Sequence, residues 1–284
     1  MTCAFDYSGD IGCRSPNCDI GRPFTDEAGA WRQAEVVARS DWHAGIPSLD
    51  EELSDADRAV LIAHWTEVAR LEHASVASFA RHTLELMALG APAELLAEVQ
   101  RAAADEVRHA QLAFGMIAAL GGGEMGPGPL SVDDMGPRLD PVAVLRGLIE
   151  EGCIGETLGA AEARIAAERS LGPTAQVLAE IAEDETRHAL LAWRTARWVI
   201  EAFGLTRDRL PSWQAPATDL PVQRHPLAAY GMLHPTEQSA LHGRVWREVI
   251  GPALEGLFAN AEGGTFVDSR SAACGVHQAR QPGR

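Results

Sequence analysis

Apolar positions recur with a helical period across residues 55–89, where Leu61, Trp65, Val68, Glu72, Val76, Phe79 and Leu86 fall on one face. Ser54 reads as the N-cap of this first helix, with Asp57 three positions on in the manner of a capping box. The run "LGAP" predicts its end, with Gly90 in the left-handed C′ position and Pro92 opening a second helix. That helix extends to about Leu120 and stops at Gly121-Gly122-Gly123. The connection "GGGEMGPGPLSVDDMGPRL" is dense in Gly and Pro, and Asp140-Pro141 then begins a third helix to about Leu171. "LGP" at 171–173 repeats the earlier turn signal, and a fourth helix runs to about Phe203. Pro-rich residues 211–226 lead to a fifth helix, about 236–259, interrupted near Pro252.

Two short hairpins joined by one long connection predict an all-α fold: a four-helix bundle with a long crossover between helices 2 and 3, plus an additional C-terminal helix. The chain divides into an irregular N-terminal arm (1–52), the bundle (53–204), a Pro-rich linker with the fifth helix (205–262) and a flexible tail (263–284).

The second helix of each hairpin carries a near-copy of one motif. Residues 105–114 read "DEVRHAQLAF" and residues 184–193 read "DETRHALLAW". Residues i and i+3 share a helix face, so Glu106 points with His109, and Glu185 with His188. Apolar neighbours surround both pairs: Ala102, Ala110 and Ala113 in one copy, Ile181, Ala189 and Ala192 in the other. A carboxylate aimed at a core is costly unless paired or bound to metal. One copy alone reads equally well as a solvated charged face; two copies at matching places in two hairpins do not.

Two inward Glu-x-x-His pairs plus one inward Glu from each partner helix make six metal ligands. On the first helix Glu72 lies on the apolar stripe, nearly as far before Gly90 as Glu106 lies after it, so the two sit level in an antiparallel hairpin. Glu67 would fall roughly 10 Å too far along and reads as a surface or supporting residue. The third helix offers Glu150, Glu151 and Glu156. The offset between the two motif copies, applied to Glu72, selects Glu151. Distance from the turn at Gly172 instead selects Glu156, closer in height to Glu185 by about 8 Å. Height decides whether two side chains can share a metal, which makes Glu156 the expected ligand and Glu151 the alternative, otherwise placed behind the ligands. Asp105 and Asp184 are expected to accept the free N–H of a metal-bound histidine, the other reading being surface ion pairs with Arg108 or Arg187. His73 is about 100° off the ligand face, and Cys153 reads as a small core residue. Gly147, Gly152, Gly155 and Gly159 in one helix imply either close helix contact or space beside the metals.

Composition narrows the class. A net charge of −16 opposes binding to phosphate backbones, so no nucleic-acid partner is expected. No apolar run approaches the ~18–20 residues that span a bilayer, and "MTCAFDYSGD" lacks the basic start and apolar region of a signal peptide, so no membrane partner and a cytoplasmic location are expected. Cys3, Cys13, Cys18, Cys153 and Cys274 are odd in number and widely spaced, which fits inert thiols better than a disulfide framework or zinc site.

With a Glu followed by DExxH occurring twice, residues 58–203 resemble the ferritin-like diiron-carboxylate superfamily. "EHASVASF" and "EGCIGET" are similar to bacterial proteins described only as ferritin-like domain proteins. The resemblance implies a ferritin-like bundle with two iron ions, or a manganese and an iron, on Glu72, Glu106, His109, Glu156, Glu185 and His188. Members include ferroxidases, peroxidases, desaturases, hydroxylases and amine N-oxygenases. Three functions follow as expectations. The first is a diiron oxidase or oxygenase acting on a small organic molecule with dioxygen, with electrons from an external donor and the chain as monomer or homodimer. It is favoured because much of the chain lies outside a plain bundle. The second is iron handling as a ferroxidase or peroxidase. The third is a binding or scaffold protein stapled by its metals.

Overall fold

The computed structural model describes residues 22–26, 29–49, 53–215 and 221–259, together with a strand pair, β1 (Ala4–Phe5) and β2 (Ile11–Gly12). Cys3, Cys13, Cys18, Cys274 and the predicted tail lie outside the described residues.

The chain is predominantly helical. Helix α1 (Asp55–Leu89) starts where Ser54 Oγ accepts the Asp57 amide at 3.1 Å, and it ends at Gly90, whose φ of 73° is open to glycine and strained for most side chains. Helix α2 (Ala93–Ala119) returns along α1 and packs against it. The first hairpin therefore has the predicted ends to within a residue.

The second hairpin is less regular. Asp140 caps α3 (Pro141–Gly147) by accepting the Ala143 amide at 2.9 Å. A π-helical stretch (Leu148–Glu156) follows directly and passes into α4 (Thr157–Arg169). What reads from sequence as one α-helix is thus three segments, and α4 stops just short of the expected Leu171. Helix α5 (Gly172–Phe203) packs against α4, the π stretch and α2. The fifth helix is likewise broken: α6 (Pro235–Val245), a π stretch (Trp246–Ile250) and α7 (Gly251–Ala259), so the irregularity lies just before Pro252.

On α1 the predicted stripe is buried apart from Val76, which is half-buried. Trp65, Phe114, Met116, Ile117 and Leu178 form the core at one end, and Ile149, Ile154, Val199 and Ile250 form a second cluster. The segments outside these helices are fixed to them. β3 (Val36–Ala38) of the N-terminal arm pairs antiparallel with β4 (Met125–Pro127) of the long connection. The arm also runs close over α2, where any side chain at Gly115 would meet the Ala44 carbonyl oxygen at 2.5 Å. Helix α6 docks on α4 through Glu162, which accepts from Gln238 Nε2 at 2.9 Å and pairs with His242. Among the described residues no helix is long and apolar enough to cross a membrane.

Candidate metal centre

The buried faces of α1, α2, α5 and the first π stretch converge on six ionisable side chains. Glu72 comes from α1, Glu106 and His109 from α2, Glu156 from the last position of the π stretch, and Glu185 and His188 from α5. Five of the six are 0% exposed and His188 is 3% exposed. They form two groups able to hold a metal ion, Glu72–Glu106–His109–Glu185 and Glu106–Glu156–Glu185–His188, with ligand atoms within 4.8 Å of one another in each. Glu106 and Glu185 belong to both groups, so the two candidate positions share a pair of carboxylates.

Spacing along each helix accounts for the convergence. Glu106 lies thirteen positions after the start of α2 and Glu185 thirteen after the start of α5; Glu156 lies thirteen before the end of α4. Glu156 and Glu185 are therefore level across the second turn. Ala102, Ala110, Ala113, Ile181, Ala189 and Ala192 are all buried around the two pairs and exclude water from them.

The two histidines present the same atoms in the same way. Each imidazole turns Nδ1 inward: His109 Nδ1 lies 3.6 Å from Glu72, 3.7 Å from Glu106 and 3.3 Å from Glu185, and His188 Nδ1 lies 3.1 Å from Glu106 and 3.7 Å from Glu185. Each turns Nε2 outward to an aspartate of the other motif: His109 to Asp184 at 3.0 Å, and His188 to Asp105 at 3.2 Å. Arg187 joins the aspartates, pairing with Asp184 and lying 3.5 Å from Asp105. With Nε2–H donated outward, Nδ1 is left as the coordinating lone pair.

A test of fit comes from groups the protein leaves unpaired. Both carboxylate oxygens of Glu72, Glu106, Glu156 and Glu185, and Nδ1 of both histidines, are buried without a hydrogen bond among the described residues. Buried polar atoms are nearly always bonded, so orphans facing one another in this number call for a cation. Without one, the site redistributes protons. Burial pushes Glu72 well above the usual carboxylate range, and burial with the neighbouring Glu185 does the same to Glu156. Burial also opposes ionisation of Glu106 and Glu185, but the adjacent imidazoles prevail and hold both below that range. Burial disfavours the charged rings, yet the surrounding carboxylates hold His109 and His188 well above the ordinary imidazole value. Four carboxyls and two imidazoles offer oxygen and nitrogen donors to a metal ion.

The other residues singled out from sequence fall outside the two groups. Glu151 is in neither group and accepts from Arg138 Nη1 and Arg81 Nη2, both at 3.1 Å. Glu67 pairs with Arg70 at the surface. His73 packs edge-on against Trp42, and Cys153 is buried in the second apolar cluster, where burial pushes its thiol pKa up. Arg108 pairs with Glu180, not Asp105. The glycines divide: a Cβ at Gly152 would meet the Ala192 Cβ at 2.8 Å, so close contact explains it, whereas Gly155 would meet only the Glu150 carbonyl oxygen at 3.5 Å.

Sequence reasoning missed the residues that gather around Glu151 beside the centre: Arg22, Ser78, Arg81, His82, Glu85 and Arg138. A signal was present, because Ser75, Ser78, His82 and Glu85 continue the period of the buried α1 stripe beyond Glu72 and are all buried. No family model, curated protein or solved structure matches this chain.

Proposed function

We propose that the chain is a ferritin-like four-helix bundle whose centre binds two iron ions, or one manganese and one iron, and that it uses dioxygen to oxidise a small organic molecule. The four rods of the bundle are α1, α2, the α3-to-α4 arm and α5, with residues 120–140 as the crossover. The observation that carries this reading is the sharing of Glu106 and Glu185 between two four-residue ligand groups. A single-metal site has no use for a second histidine and a fourth glutamate at fully buried positions without hydrogen bonds.

Glu72 and His109 would complete one position, and Glu156 and His188 the other. When bound, the metals supply the electrons and the Lewis acidity that dioxygen reduction requires. The chain's own residues do the rest. Asp184 and Asp105 hold the Nε2 protons of the two histidines and so fix both rings with Nδ1 inward. The alanines and Phe79, whose ring meets that of His188 edge-on at 5.3 Å, keep bulk water from the donors. Electrons would come from an external donor: the sequence carries no paired CxxC motifs of the kind that hold a built-in iron–sulfur centre.

Iron handling as a ferroxidase is the second reading, supported by the net charge of −16, which attracts Fe²⁺. The arm and the α6–α7 segment favour organic oxidation, because they cover the helices around the centre where a storage shell needs only the helices. Size-exclusion chromatography with aerobic Fe²⁺ titration separates the readings. A monomer or dimer that stops near two irons per chain supports the oxidase. A large shell that takes up tens of irons per chain overturns it.

A further inference from the structure

A cluster of charges, buried except for the partly exposed Arg138, adjoins the centre and lies outside both ligand groups. Arg138 donates from Nε to Glu85 at 2.6 Å and from Nη1 to Glu151 at 3.1 Å. Arg81 gives Nη1 to the Thr25 carbonyl at 2.7 Å and Nη2 to Glu151 at 3.1 Å. Arg22 reaches Glu151 only at 3.7 Å, as an ion pair without a hydrogen bond. His82 lies beside Glu85, and burial lowers its pKa so that the ring is neutral near pH 7. Among the described residues, three guanidinium groups thus face two carboxylates, and one positive charge is left over inside the protein. Such a charge is expensive to bury unless an anion joins it.

The surplus is located at Arg22. The residue is 2% exposed, and its Nε and Nη2 have no hydrogen-bond partner among the described residues. Its placement is held firmly: its amide donates to Ser75 Oγ at 2.8 Å, and that hydroxyl donates back to the Arg22 carbonyl at 2.7 Å. The guanidinium lies over the Phe79 ring, 4.9 Å from its centroid, and Phe79 in turn meets His188. Nη2 also faces the π stretch that carries Glu156, 3.5 Å from where a Cβ at Gly152 would stand. The N-terminal arm therefore delivers an unsatisfied cation to a point one aromatic ring from a candidate metal ligand.

Resting on the oxidase reading above, we infer that Arg22 binds the carboxylate of the substrate, which is a small monocarboxylic acid whose hydrocarbon part extends along Phe79 toward the centre. A guanidinium recognises a carboxylate through paired N–H donors, and Arg22 has two to give. The charge balance selects a monoanion. One carboxylate neutralises the cluster, whereas a dianionic phosphate would leave it negative beside Glu151 and Glu85.

Isothermal titration of the full chain, metal-free and iron-loaded, with benzoate, hexanoate, benzamide, hexanamide and inorganic phosphate tests this. The carboxylates bind and the isosteric amides do not. Arg22→Met weakens carboxylate binding roughly tenfold to a hundredfold, as loss of a charged hydrogen-bonded pair does, and Arg22→Lys falls between. Both variants keep the wild-type iron content, measured on the same samples. Equal binding of amides and carboxylates, preference for phosphate, no carboxylate binding to wild type, or wild-type affinity in Arg22→Met would each overturn the assignment. The ligand panel on wild type stands even where Arg22→Met folds poorly. Iron loading without carboxylate binding would remove this inference and leave the metal centre; carboxylate binding without iron loading would remove the centre instead.

Discussion

His109 donates through Nε2 to Asp184 at 3.0 Å, across 75 residues of sequence, and the Asp184 motif receives the same service in return through His188 and Asp105. Each DExxH copy therefore orients the histidine of the other. The duplicated motif works as a reciprocal pair, and neither half makes a complete site alone. This relationship predicts that Asp184→Asn and Asp105→Asn each weaken metal binding by about 10–100-fold while leaving all six donors in place. Chelator competition measures it. Affinity unchanged in both variants would mean that the rings are held by packing alone.

Glu156 and Glu151 make opposite predictions. Glu156 is in the candidate ligand set, so Glu156→Ala should lower bound metal to about one ion per chain with a modest effect on folding. Glu151 neutralises buried arginines, so Glu151→Ala should leave the donors intact but destabilise the apo fold by about 3 kcal/mol, because it strands buried charge. Metal analysis and chemical denaturation of both variants check the pair.

The two glycines beside Glu156 should also part company. Gly152→Ala presses against the Ala192 Cβ and costs roughly 1–3 kcal/mol. Gly155→Ala has room and stabilises by about 0.5–1 kcal/mol, since alanine restricts the unfolded chain. Thermal unfolding orders the two against wild type.

Acid sensitivity follows from Glu85. Burial opposes its ionisation, but His82 and Arg138 prevail and lower its pKa from 4.5 to about 2. The folded value lies below the unfolded one, so the stabilisation is fully present above pH 4.5 and is lost as pH falls toward 2. It amounts to roughly 3 kcal/mol. Glu85→Gln should flatten the stability curve over that acid range relative to wild type, as measured by urea titrations at stepped pH.

Much of the helical order was legible in the chain because its signals are local. Ser54, Gly90 and Asp140 cap helices by bonding to near neighbours, so a short window of sequence contains the cause. The six donors were legible because a buried Glu-x-x-His on an apolar stripe has few innocent explanations. The π stretch at Leu148–Glu156 was not, since a π turn differs from an α turn in which carbonyl each amide selects, and composition does not record that choice. The offset between the motif copies and the distance from the turn select different glutamates, Glu151 and Glu156, for a related reason. Glu72 lies about one helical turn farther from the end of α1, at Leu89, than Glu156 does from the end of α4, at Arg169, so the repeats do not align without a gap. Arg22 was hidden more deeply. Its partners Ser75, Phe79 and Glu151 are far along the chain, and an aperiodic arm gives no sign of which of its residues turn inward.

Whether the buried donors hold two metal ions that share Glu106 and Glu185 is decided by the iron content of the purified chain after anaerobic Fe²⁺ loading and removal of loosely bound metal. About two irons per chain are expected, with loss of one position in Glu156→Ala and of both in Glu106→Ala. One ion or fewer in the loaded wild type, or retention of zinc alone, would contradict the two-metal centre.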